Sequence, residues 1–328
     1  MSFEDKSADK PIEHFCTLFN ISFFSIGLTL YRSLIRHAKP FHLWILCIDE
    51  TVEKYFRQLA LPFVTLIPLH EVETAELRTV KSQRTVGEYC WTLTPFIFDM
   101  VFERDPSVTQ VTYLDADLFF FADPRLLLKE LKESHKHVLI TEHAYDPIYE
   151  QSATSGRFCV QFLTFKATAE ARAVLTWWQE RCLEWCFARF EDGKFGDQKY
   201  LDSWPTTFGE QVHILQQIEQ TLAPWNVQFF LKKKKTLYTP VFYHFHSLRF
   251  ISTNCVKLYA GYYTGRNARP IYDTYVRELR MTRDVLKSAQ IDMPYLPLPT
   301  QKYEFLRRLK RRAMGTEITI TLNDRKYR

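Results

Sequence analysis

The feature that most constrains this 328-residue chain is an alternation running through its first third. Short apolar runs rich in β-branched and aromatic residues, at 15–19, 43–48, 63–68 and from Val111, read as buried strands. Between them lie a helical pattern through Ile26, Leu30, Leu34 and Ile35, a helix over 51–59, and a helical stretch filling 71–105. Strands of this kind separated by helices predict an α/β fold, with a mixed, mostly parallel central sheet flanked by helices.

The run from Val111 carries two acids, Asp115-Ala116-Asp117, where the strand should emerge. In an extended chain residues i and i+2 face the same way, so their Cα atoms would stand roughly 7 Å apart on one face. Two carboxylates beside apolar surface need a partner, and a divalent cation such as Mg²⁺ or Mn²⁺ carrying a phosphate suits them. Open α/β sheets bind ligands at the carboxyl ends of their strands, which is where this pair falls. The plainer alternative is a pair of loop carboxylates following a core strand.

Further strands are expected at 137–141, 158–165, 212–215 and 240–246, with helices over 126–131, 169–189 and 200–204. Residues 191–199 form a glycine-bearing loop, and residues 223–226 a turn. His244 and His246 share a face by their spacing and are candidates to ligate a metal or phosphate. Residues 257–285 carry a helical pattern through Tyr272, Tyr275, Leu279 and Val285.

Composition narrows the class. With 46% hydrophobic residues and 25% charged the chain is an ordered protein long enough for a large core. The aromatic share of 16% supplies that core or stacks on a ligand. Seven cysteines without a CxxC pair argue against a zinc ribbon and a disulfide framework, and buried free thiols are expected, Cys182 and Cys186 on one helix face. Free thiols fit a reducing compartment, so a cytoplasmic protein is expected, and no apolar run is long enough to span a bilayer. Residues 1–13 are expected to be disordered, 14–290 to form the main domain, and 291–328, after prolines at 294, 297 and 299, a basic helical appendage. That appendage, and the lysine run at 232–235, suit acidic partners or the inner face of an anionic membrane; a solvated helix is the alternative. No internal repeat or nucleic-acid reading motif is present, so no nucleic-acid partner is expected.

Four separated segments share a resemblance. Asp115-Ala116-Asp117 resembles the acidic metal-binding motif of GT-A fold nucleotide-sugar glycosyltransferases. Gly196-Asp197-Gln198 resembles the Asp-Gln segment of the family 8 group, which includes bacterial lipopolysaccharide galactosyltransferases and glycogenin. Pro224-Trp225-Asn226 resembles the Trp-Asn before that group's final strand, and His244-Phe245-His246-Ser247 its His-Phe-x-Gly. The order matches from Phe15 to about Arg249. Where the family often has Asn-x-Gly on the strand before the long helix, this chain has Cys159-Val160-Gln161; the family's glycine is Ser247 here, and Arg249 stands near its lysine.

The resemblance implies a metal-dependent transfer of a sugar from a nucleoside-diphosphate donor, UDP-sugars favoured, to a glycan, lipid-linked or protein acceptor, with retention of configuration. It implies Mn²⁺ or Mg²⁺ on Asp115, Asp117 and His244, with His246 as the alternative ligand. It places Thr17, Phe19, Asn20, Asp115, Ala116 and Arg249 around the nucleotide and diphosphate, with Asp115 on the ribose as the alternative to its metal role, and Asp197 and Gln198 on the sugar as the catalytic pair. Lys81 and Arg84 either reach the donor or sit on a helix face. Two other readings share the fold class. One is a nucleotidyltransferase that makes nucleotide sugars, which would show a glycine-rich loop after the first strand where this chain has Phe19-Asn20-Ile21-Ser22-Phe23. The other is an inactive nucleotide-sugar-binding protein.

Overall fold

A computed structural model describes residues 10–233, 239–295 and 304–323. The expectations for residues 1–9, for Lys234 and Lys235 of the lysine run, and for Pro297 and Pro299 lie outside the described residues. The chain forms β1 (Glu13–Phe19), β2 (Phe41–Cys47), β3 (Val64–Pro68) and β4 (Gln110–Leu114), then turns into the short β5 (Leu118–Phe120). After these come β6 (Val138–Glu142), β7 (Phe158–Lys166), β8 (Val212–Ile214), β9 (Thr221–Leu222) and β10 (Phe242–His244). The last three are β11 (Arg249–Ser252), β12 (Cys255–Ala260) and β13 (Glu317–Thr321).

The central sheet has the order β3-β2-β1-β4-β7-β6-β8. Its β1 pairs in parallel with both β2 and β4, while β7 runs antiparallel to β4 and β6. The expected mostly parallel, mixed sheet is therefore present. The chain leaves β1 toward β2 and β3 and later returns to add β4 on the other side. That reversal opens a crevice at the carboxyl ends of β1 and β4, next to Asn20 and Asp115.

Two apolar layers cover the sheet. On one face, helix Phe24–His37 packs against helix Arg269–Ser288, joined by Thr29 Oγ1 and Thr282 Oγ1 at 2.8 Å and by Arg36 donating twice to Glu278. Gly27 in the first helix admits the Phe19 ring, since a Cβ there would meet Phe19 Cζ at 2.4 Å. On the other face Trp178 of helix Ala169–Glu184 packs edge-to-face on Trp204, and Phe98 packs on Phe165. All twelve of the largest fully buried side chains are aromatic, so much of the aromatic surplus builds the core.

Several expectations are corrected. Helix Ala169–Glu184 stops short of 189 because Trp185 is extended and the following backbone finds tertiary partners: Ala188 N donates to Glu88 Oε1 and Gly196 N to Phe187 O. Cys186 therefore lies off the helix, though it and Cys182 are buried free thiols. Residues 249–260 form a hairpin, with Val256 and Leu258 buried on alternate positions of β12, and the helix begins only at Arg269. Lys10 pairs with Asp123 at 3.0 Å and Glu13 already belongs to β1. The basic helix is present over Glu304–Ala313, but β13 after it pairs with β12, and buried Glu317 accepts from Arg308 Nε and Arg311 Nε, tying this segment to the body. Among the described residues no helix is long and apolar enough to cross a membrane.

Candidate active site

The two acids follow the end of β4, as expected, but stand at a turn between sheets and not on extended backbone. Asp115 N donates to Gln161 O on β7, and Leu118 N donates back to Asp115 O, so the chain folds over at Ala116 and leaves the central sheet. The next strand, β5, pairs antiparallel with β10, setting His244 opposite Leu118. Phe245 N donates to Asp117 O. This pairing, which no local pattern could reveal, brings a side chain 127 positions downstream of Asp117 onto the acids (244 minus 117).

His244 Nε2 lies 3.0 Å from Asp117 Oδ1 and 3.7 Å from Asp115 Oδ2. Its Nδ1 lies 2.6 Å from Gln161 Oε1. Because Nδ1–H donates to the amide oxygen, Nε2 is the nitrogen turned to the carboxylates. Burial raises Asp115, which the His244 charge only partly offsets; in Asp117 burial is outweighed by His244 and Arg249, which hold its carboxyl below the ordinary range. Burial works against the charged form of His244 as well, but Asp117 and Asp115 raise it. Two carboxylates around one imidazole, its far nitrogen fixed by an amide, fit a divalent cation that would replace the proton between them. Asp115, Asp117 and His244 would hold it.

A cavity of about 500 Å³ opens from this corner. Across it stands Asp197, 5% exposed, whose backbone oxygen accepts from Trp178 Nε1 at 2.9 Å. Gly196 before it has φ +52 and lies against Trp91, where a Cβ would come within 3.2 Å of the ring. Burial, reinforced by the charge of Asp115, pushes the Asp197 carboxyl up to about 8. Gln198 Nε2 donates to Ser155 O, and Lys199 Nζ to Ser152 O and Asp202, so this segment clasps the loop before β7.

The Trp225-Asn226 pair fixes the third wall. Trp225 Nε1 and Asn226 Nδ2 both donate to His143 O, and the Trp225 ring meets the rings of His244 and His246 at 5.2 and 5.5 Å. Burial, with the neighbouring charge of His244, lowers His246 to about 4. Arg249 closes the same corner, its guanidinium 4.2 Å over the Phe23 ring.

No protein-family model matches the chain. It is 30% identical over 287 residues to the uncharacterized protein YfnD of Bacillus subtilis (strain 168), spanning 84% of this chain and 91% of YfnD. The chain belongs to the YfnD family. Solved structures give this YfnD-family protein its fold. The apo-form glycosyltransferase GlyE of Streptococcus pneumoniae TIGR4 superposes with a TM-score of 0.52 at 14% identity, over 89% of this chain and 66% of GlyE. The galactosyltransferase LgtC with donor and acceptor sugar analogs superposes at 0.50 and 10% identity, over 89% of this chain and 99% of LgtC. The fold is GT-A.

Of the expected site residues in this YfnD-family chain, Phe19, Asn20, Asp115, Ala116, Asp117, Asp197, Gln198, His244, His246 and Arg249 all border the one cavity. Thr17 does not; fully buried in β1, it lies two residues, about 6.6 Å, back inside the sheet. Lys81 pairs with Glu73 on a helix face, and Arg84 bonds Thr92 and Leu183 O, so neither turns to the cavity. The sequence marked Cys159 and Gln161 only as a departure from the family's Asn-x-Gly, with no role, and gave no sign of Tyr145 and Tyr262. Gln161 had a usable signal: a polar side chain inside the apolar strand Phe158–Lys166 must find a buried partner.

Proposed function

We propose that the chain is a metal-dependent glycosyltransferase that moves a sugar from a nucleoside-diphosphate donor, a UDP-sugar in the favoured case, to a glycan, lipid-linked or protein acceptor. The observation that carries this reading is the convergence of Asp115, Asp117 and His244 on one corner of a cavity whose opposite wall is Asp197 and Gln198. Mn²⁺ or Mg²⁺, when bound, supplies Lewis-acid neutralisation of the charge that grows on the departing diphosphate. Arg249 adds a charge-assisted contact to the same phosphates, and Asn20 and Phe23 border the nucleotide end. Ala116, at the turn, lets its backbone approach the donor.

Retention is the favoured outcome. The resemblance to the family 8 group is what favours it, and burial, which raises the Asp197 carboxyl, works against its serving as the general base of an inverting transfer. Asp197 and Gln198 then hold the sugar through hydrogen bonds. Peripheral contact with an anionic membrane is part of the same proposal: Leu306, Leu309 and Met314 are exposed beside exposed Arg307 and Lys310. Substituting Arg307 and Lys310 by glutamate should weaken binding to anionic liposomes; unchanged binding removes that part.

The test is transfer and hydrolysis with a panel of nucleotide sugars and Mn²⁺. Asp117→Asn should lose turnover and metal-dependent nucleotide binding together, by about 100-fold or more, the range set by removing one preorganised electrostatic contact. A variant that kept both would refute the assignment.

A further inference from the structure

A second set of ligand atoms shares the metal corner. Cys159 Sγ, a carboxylate oxygen of Asp115 and a ring nitrogen of His244 all lie within 4.8 Å of one another. Cys159 arrives there because β7 runs against β4: its first residues stand beside the end of β4, where Leu114 pairs with Phe162 and Asp115 N donates to Gln161 O. The thiol borders the cavity although the residue is only 4% exposed.

We propose that Asp115, Cys159 and His244 form a soft-metal site that takes Zn²⁺, with its fourth position open to the cavity. A tetrahedral zinc ion with bonds of about 2.0–2.3 Å sets its ligand atoms about 3.5 Å apart, so the trio closes on it by side-chain adjustments of about 1 Å. One sulfur, one nitrogen and one oxygen is a donor set that discriminates: thiolate favours Zn²⁺ over Mg²⁺ or Mn²⁺, which take oxygen-rich sets. In forming the Zn–S bond, the S–H bond breaks and its proton leaves to solvent; nothing is oxidised or reduced. The set shares Asp115 and His244 with the proposed hard-ion set but leaves out Asp117. Zinc and the transfer-supporting ion are therefore mutually exclusive, and this consequence, unlike the zinc set itself, rests on the proposed function.

Co²⁺ serves as the spectroscopic probe on the full chain. The wild-type protein should show a thiolate-to-cobalt charge-transfer band in the near ultraviolet. Cys159→Ser should lose it, while Cys90→Ser, which alters a different thiol on the cavity wall, and Asp117→Asn should keep it. Zinc affinity, measured by competition with a chromophoric chelator, should fall at least about tenfold in Cys159→Ser, a loss that even an outer-sphere partner can cause, while Mn²⁺ affinity changes less than twofold. X-ray absorption of the zinc-loaded wild type needs no variant and should show one sulfur at about 2.3 Å. A purely nitrogen and oxygen shell, or a band that survives Cys159→Ser, overturns the proposal. Mn²⁺-supported transfer is measured separately: its absence with the cobalt band present would sink the proposed function and leave the zinc site standing.

Discussion

Removing the amide behind His244 tests whether the corner is built to hold a metal. Gln161 is 1% exposed, and its Oε1 accepts from His244 Nδ1 at 2.6 Å. Gln161→Leu keeps the size of the side chain but removes the acceptor, leaving a buried N–H unpaired at a cost of about 1–3 kcal/mol. The imidazole is then free to protonate the other nitrogen or to turn. Loss of such an outer partner lowers metal affinity by about 10–100-fold, or about 1.4–2.7 kcal/mol, in agreement with the hydrogen-bond figure. Calorimetric titration of Mn²⁺ into wild type and variant, with and without a nucleoside diphosphate, reads this directly, and circular dichroism checks that the variant folds. A Gln161→Leu protein that folds and binds Mn²⁺ within twofold of wild type would show that His244 is not a ligand oriented through Nδ1. Gln161→Glu, which retains an acceptor, should bind closer to wild type than the leucine variant.

Two further outcomes concern stability. Asp197 has an ordinary carboxyl value near 3.8 and stands at about 8 in the metal-free fold. A raised carboxyl pKa means that the unfolded chain releases the proton first, so Asp197 costs the fold nothing below about pH 4, progressively more up to about pH 8, and a constant amount beyond. In the presence of a chelator, the stabilisation from Asp197→Asn should grow across that window in denaturant titrations, and a pH-independent difference would contradict the burial argument. Ser247 is held at φ +66, in the left-handed region. Ser247→Gly should relieve about 1–2 kcal/mol of local strain and give back about 0.4–1 kcal/mol through unfolded-chain entropy, for a net gain of about 0.5 kcal/mol in urea unfolding; a net loss would mean that the serine side chain does more than fill the position.

The parts of this fold legible in sequence are those that depend on near neighbours. The burial of β2, Phe41–Cys47, is written in its unbroken apolar run, and helix Phe24–His37 shows in the spacing of Ile26, Leu30 and Leu34. The site residues were legible through their resemblance to a known order of motifs, which carried ten of the eleven distinct expected positions to one cavity, with Thr17 the exception. What stayed hidden depends on distant partners. β12 and β13 exist because they pair with each other across 255–260 and 317–321, and Glu317 is buried because Arg308 and Arg311 reach it from the helix before it. Helix Ala169–Glu184 ends early because Glu88, about a hundred residues upstream, offers a better acceptor to Ala188 N.

The turn at Asp115-Ala116-Asp117, where extended backbone was expected, changes what holds the two acids together. On a straight strand the two acids would be fixed by β4 alone, and a metal would add nothing to the fold. At a turn that carries the chain from the central sheet into β5, their spacing depends on β5 staying paired with β10, through Phe245 N on Asp117 O and the register of His244 with Leu118. His244, the histidine that would complete the proposed ligand set, lies on β10. A cation bridging Asp115, Asp117 and His244 would therefore also clamp the small sheet to the large one, so binding and the pairing of β5 with β10 reinforce each other. The order of the motifs along the chain thus has a structural cause: the acids end one sheet and begin the next, and the histidine can serve them only from the strand that β5 recruits.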